Sequence, residues 1–152
     1  MKRCVCCGCE IDDIDARSSK DHRRFFKIVH VAYHHWPEGH DFQPASAEHL
    51  RAWLLCKADW KTVTTYQLPA TDSPIQMAAF IGLIEDLLGD EDNPRFGRWV
   101  GSSLHVFKPK SIKYTRAGQK RFNKVRDAVS EIIEAEIGIP VETLLRESEK
   151  AA

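Results

Sequence analysis

No stretch of this 152-residue chain stays apolar for the roughly 20 residues that a membrane helix needs. The N-terminal MKRCVCCGC also lacks the apolar core of a secretory signal. The expected location is therefore the cytoplasm, with no membrane partner. Net charge is missing too: 22 Lys and Arg stand against 22 Asp and Glu, so the summed field selects no partner class. The common catalytic signatures are absent, with no G-x-x-x-x-G-K-[ST], G-x-S-x-G, G-x-G-x-x-G or H-E-x-x-H. No catalytic residue is assigned on that basis, and the chain reads as a non-enzyme.

One absence is local. Between Asn93 and Arg126 there is no Asp or Glu, while Arg95, Arg98, Lys108, Lys110, Lys113, Arg116, Lys120, Arg121, Lys124 and Arg126 all fall there. The acids gather in residues 10–15, 85–92 and 127–149, so a neutral total conceals a basic surface and separate acidic ones.

What the chain does contain is hydrophobic patterning of both periods. Ser18 as cap and Phe25, Phe26, Ile28, Val29, Ala32, Tyr33 and Trp36 predict a helix over residues 19–35, stopped by Trp36-Pro37-Glu38-Gly39. Ser46 caps a second helix running to about Asp59, and KTVTTYQL reads as a strand over 61–68. Ser73-Pro74 opens a third helix whose density of Ile, Leu and Met predicts burial, closed by Gly89. FGRWVG and SLHVFKPKSIKY read as two strands, with Pro109 at a bulge or edge. Thr115 then caps the longest helix, ended by Gly138-Ile-Pro140, and a short helix follows over 141–146. The fold class is α+β: three or four main helices on a small mixed or antiparallel sheet. Residues 1–16 form a Cys-rich acidic appendage, and 17–152 a single domain.

Cys4-x-x-Cys7-Gly8 has zinc-knuckle spacing, overlapped by Cys6-x-x-Cys9. Cys4, Cys7 and Cys9 are the candidate ligands of a structural zinc, with Cys56 or His22, His30, His34, His35 or His40 as sources of the remainder. The alternative is a set of reduced, exposed thiols.

The basic run interleaves Phe96, Trp99, Phe107, Tyr114 and Phe122, which suits phosphate neutralisation combined with base stacking. Lys108 and Lys110 alternate along the expected strand with Lys113 as a further candidate on it, and Arg116, Lys120 and Arg121 follow on the helix. A second basic group, Arg17, Lys20, Arg23 and Arg24, surrounds the expected start of the first helix, where backbone N–H groups also favour anions. These ten residues are the candidate nucleic-acid contacts. The competing reading makes the aromatics core and the lysines edge protection.

Arg17-Ser-Ser-Lys-Asp-His-Arg-Arg-Phe-Phe26, running into Tyr33-His-His-Trp36-Pro37, and Pro109-Lys-Ser-Ile-Lys-Tyr114 before a helix with Phe122, resemble a family of bacteriophage proteins. That family carries an Arg-x-x-x-x-His-Arg-x-Phe-Phe helix and a late Lys-Ser-Ile strand, and is distantly similar to the NinB (Orf) recombination mediators. The resemblance covers residues 17–36 and 109–137. It implies an α+β homodimer that binds single-stranded DNA in a host bacterial cytoplasm, with Arg17, His22, Arg23, Lys110, Ser111 and Ile112 as motif positions. The chain departs from it in having the cysteine cluster where longer N-terminal β structure is expected, and Ser19-Lys20-Asp21-His22-Arg23 where NinB relatives carry Ser-x-x-Gln-Asn. The leading expectation is a phage DNA-binding accessory protein of recombination or replication. The alternatives are an inhibitor binding a host protein complex and, through Asp21-His22 beside the cysteines, a metal-dependent His-type nuclease.

Overall fold

The computed structural model describes residues 2–3, 10–11, 14–67, 70, 72–89, 93–111 and 114–150. In chain order the elements are β1 (Lys2–Arg3), β2 (Glu10–Ile11), α1 (Ile14–His34), α2 (Ala47–Lys57), β3 (Lys61–Gln67), α3 (Pro74–Leu88), β4 (Phe96–Val100), β5 (Ser103–Pro109), α4 (Tyr114–Ile137) and α5 (Val141–Lys150). Among the described residues five helices, a short antiparallel pairing of β1 with β2 and a three-stranded antiparallel sheet make this an α+β protein. No helix among the described residues is long and apolar enough to cross a membrane. Two compact units form: residues 1–37 with 111–152, and residues 38–110.

In the first unit, apolar residues three and four apart give α1 and α4 one buried stripe each. Phe25, Ile28, Val29 and Ala32 are buried on α1, and Phe122, Val125, Val129 and Ile133 on α4. Each such large side chain contributes about 1.5–3 kcal/mol by leaving water. Phe25 meets Phe122 edge-on at 5.8 Å, while Asp21 lies 3.8 Å from Arg126. Residue numbers rising on α1 thus match numbers falling on α4, so the helices run antiparallel. Gly138, at φ +81°, ends α4 in the left-handed conformation that glycine adopts without strain. The chain reverses, the Glu134 carboxylate accepts the Val141 N–H at 2.9 Å, and Val141 and Leu144 of α5 are buried. Arg24 pairs with Glu142 and Lys27 with Glu149, linking α1 to α5 along their solvent side.

In the second unit the strand order is β3-β5-β4, with both pairings antiparallel. Gly101, at φ +61°, turns the β4–β5 hairpin. The Ser46 hydroxyl accepts the His49 N–H at 3.1 Å, satisfying one free donor at the start of α2. That helix packs on β5 and buries Leu50, Leu54, Leu55 and Cys56, while Leu104 and Val106 are the buried positions of β5.

Several expectations are corrected. Helix α1 begins at Ile14, so Ser18 lies inside it and the appendage boundary after residue 16 falls within a helix. Strand β5 ends at Pro109 instead of running to Tyr114, because its β4 partner stops opposite Phe107 and its β3 partner opposite Pro109. Pro109 has β3 alone beside it, the locally edge-like setting expected of a residue with no N–H. Helix α4 starts at Tyr114, which puts Thr115 inside it. Helix α3 has its expected Ser73 cap and Gly89 stop, but not its expected burial: none of its residues is buried.

Candidate nucleic-acid interface

In the first unit, the antiparallel register sets Lys120 and Lys124 level with the Arg23–Lys27 segment of α1. Lys20, Arg23, Lys120 and Arg121 are exposed. Among the described residues none of these four has an ion-pair partner, whereas Arg24 is engaged by Glu142 and Lys27 by Glu149. Arg17 and Arg116 stand on α1 and α4; Lys113 lies outside the described residues. Because α1 begins at Ile14, Lys20, Arg23 and Arg24 sit more than a turn into the helix, away from the free N–H groups of its first turn. Any anion held there is held by side chains. His22 packs its ring 5.7 Å from Phe122 and 4.8 Å from Phe26, bridging the two helices.

Lys108 and Lys110 belong to the second unit. Lys108 is exposed at the end of β5. Lys110 is past the strand, yet its N–H still donates to the Trp60 carbonyl at 3.1 Å and its Nζ lies 5.5 Å from the Trp60 ring centroid. Lys108 and Lys110 therefore do not share the single strand face that their alternation implied.

The pairing register exposes a set of residues that the linear sequence conceals. Directly paired residues in an antiparallel sheet project to the same face. Opposite the face of buried Leu104 and Val106, the rows Val63–Phe107–Phe96, Thr65–His105–Arg98 and Gln67–Ser103–Val100 lie side by side, with Lys61 paired to Pro109. None of these residues is acidic. Arg98 and Thr65 are exposed, Val63 is 48% and Val100 52% exposed, and Phe96, His105 and Phe107 are half-buried. The Lys61 ammonium lies 4.3 Å from the Phe107 ring centroid, with the Asp59 carboxylate at 4.0 Å. At the rim, the His49 ring stacks on Phe96 at 5.7 Å. The face thus combines aromatic rings, a guanidinium, an ammonium and an imidazole, with no acid in its paired rows and the Asp59 carboxylate beside Lys61 at its end. Sequence reading found Phe96 and Phe107 as aromatics but did not select Lys61, Arg98 or His105. The missing signal was register, which only strand pairing supplies.

The metal candidates divide. Cys4, Cys7 and Cys9 lie outside the described residues. Cys56 is buried, and burial pushes its thiol up to about 11, against a smaller opposing pull from Lys61. It remains protonated at neutral pH and is a poor thiolate donor. His30 and His34, four apart on α1, bring their Nε2 atoms to 3.2 Å, while His35 and His40 make short-range contacts to the Val31 and Phe42 carbonyls. Among the described residues no group of three or more His, Cys, Asp or Glu side chains is arranged to hold a metal ion.

Comparison with models of known families, with characterised proteins and with solved structures finds no match to this chain.

Proposed function

We propose that the protein binds single-stranded DNA, as a phage-encoded accessory of recombination or replication. The observation that carries this reading is the open face of the three-stranded sheet, whose paired rows hold no acid and where Phe107 and Phe96 stand beside Arg98, His105 and Lys61. A single strand offers unpaired bases for stacking and phosphates for cations, and it needs both kinds of group on one surface. Each base stacked on an aromatic ring contributes about 1–3 kcal/mol, and every phosphate neutralised releases counterion. Lys108 and Lys110 add cations at the end of β5 in the same unit, and Lys20, Arg23, Lys120 and Arg121 form a separate exposed cationic group on the helical unit. The resemblance of the Arg17–Phe26 segment to a phage family distantly similar to the NinB recombination mediators points the same way.

The test is fluorescence anisotropy of labelled single-stranded and duplex DNA titrated with the protein at two salt concentrations. Single-strand binding is expected to exceed duplex binding, with log affinity falling by about 0.7 per phosphate contacted for each tenfold rise in salt. Arg98→Ala is expected to weaken binding about tenfold, the scale of one lost charge-assisted contact. Lys110→Glu weakens it further by reversing a charge. Absence of binding to either form of DNA overturns the proposal. Capture of a host protein complex that survives nuclease treatment would then identify the basic surface as a protein-binding one.

A further inference from the structure

We infer that His30 and His34 form a chelating site, on the exposed side of α1, for one divalent transition-metal ion of the class that imidazole binds, with Zn²⁺ as its representative. The two residues are four apart in the helix, which sets one a turn above the other on the same face. Both are exposed, and the buried stripe of Phe25, Ile28, Val29 and Ala32 fixes the backbone that carries them. Their Nε2 atoms converge to 3.2 Å, with ring centroids 4.6 Å apart and ring planes inclined at 80°. Two nitrogens each about 2.0–2.1 Å from a shared ion, at an angle between the octahedral and the tetrahedral, stand about 2.8–3.4 Å apart. The observed separation lies inside that range, so an ion can be seated by turning the rings, without backbone movement.

The chemistry of the pair selects the ligand class. Two Nε2 lone pairs facing each other at this distance repel, so the metal-free pair is held by a proton on one Nε2 donated to the other. When both neutral rings carry their proton on Nδ1, both Nε2 lone pairs are free, and the ion takes the place of the shared proton. Lys27, one turn back on the helix, is engaged by Glu149 at 3.0 Å, which reduces the charge opposing a further cation. Imidazole is a donor for Zn²⁺, Cu²⁺ and Ni²⁺, whereas Mg²⁺ and Ca²⁺ prefer oxygen. Among the described residues no third His, Cys, Asp or Glu joins the pair in a metal-holding group. Water therefore fills the remaining positions, and the site is an open, exchangeable one instead of a closed structural centre. It takes no ligand from the cysteines and does not depend on the nucleic-acid reading.

The experiment is calorimetric titration of Zn²⁺ into the full chain with Cys4, Cys6, Cys7 and Cys9 replaced by serine, with circular dichroism on every variant. One ion per chain is expected, with no response to Mg²⁺. Above the dissociation constant, the folding equilibrium is expected to rise about tenfold for each tenfold rise in free Zn²⁺. His30→Gln and His34→Gln change exposed side chains and are each expected to weaken binding at least about tenfold, because a chelate presents its second imidazole at high effective concentration. His35→Gln, whose Nδ1 is already 3.0 Å from the Val31 carbonyl, is expected to leave the affinity unchanged. No binding at millimolar Zn²⁺ overturns the inference, as does binding that both His30→Gln and His34→Gln retain. Long-range ¹H–¹⁵N spectra of the imidazoles give a second readout in the wild-type chain, whatever the serine variant does. Zn²⁺ is expected to shift the Nε2 signals of His30 and His34 together, and a shift of neither, or of one alone, overturns the site.

Discussion

Cys56 shows how burial decides chemistry at the scale of one residue. Its thiol sits under the α2 face and is pushed from 9.0 to about 11, so it keeps its proton where a solvated thiol begins to lose it. With Cys4, Cys6, Cys7 and Cys9 replaced by serine, a disulfide reagent at pH 8 is expected to modify Cys56 only as fast as the chain opens. Fast modification would show the thiol to be accessible. The folded chain holds this proton more tightly than the unfolded one, so the stabilisation is complete below about pH 9 and declines as pH rises toward about 11. A urea midpoint that falls over that window in the same variant, and recovers in Cys56→Ala, checks the sign. Phe122 is the packing counterpart. It is 4% exposed and touches both Phe25 and His22, so Phe122→Ala is expected to cost about 3–5 kcal/mol in a denaturant titration. Its burial was legible from helical spacing. The partnership with His22 was not, because that residue read as a candidate ligand or base until α4 was seen to pack on it.

Among the elements, those with explicit end signals were read most accurately. The Ser46 and Ser73 caps and the Gly89 and Gly138 stops each satisfy or terminate backbone hydrogen bonding locally, and local chemistry is visible in sequence. Ser46→Ala is expected to lower stability by about 1 kcal/mol, measured as a shift of the urea midpoint at constant slope. The start of α1 and the end of β5 were misplaced for opposite reasons. Ser18 is a good cap residue, but Ile14–Arg17 continue the helix ahead of it. Lys110 to Tyr114 had strand-like composition, but a strand requires a neighbour, and β3 and β4 both end before them. The Arg24–Glu142 and Lys27–Glu149 pairs join α1 to α5 across exposed surface, where ion pairs contribute little. Glu142→Gln and Glu149→Gln are each expected to change stability by less than about 1 kcal/mol. A larger loss in a thermal melt would show that these pairs, and not the buried Val141 and Leu144, hold α5 in place.

For the molecule as a whole, the continuous basic run of the sequence is divided by the fold. Arg95, Arg98, Lys108 and Lys110 belong to the unit built on the sheet, while Lys113 to Arg126 belong to the helical unit. A single electrostatic feature in one dimension becomes two cationic surfaces, one on each unit, and the proposed DNA contact is the one on the sheet. Helix α3 makes the complementary point. Its composition predicts a covered helix, and the single chain leaves its outer row open.

The sequence by itself determined the α+β class, the helix stripes, the capped starts and glycine stops, and the clustering of cations away from acids. All of these follow from side-chain type and spacing along the chain, acting over one or two turns. The tertiary structure decided which cations are already engaged by Glu142, Glu149, Asp21 and Asp127. It also decided which strand residues share a face, and that an apolar helix is left open. Those properties depend on pairing register and on contacts between residues as many as 122 positions apart, and neither periodicity nor composition encodes which distant residue will be the neighbour.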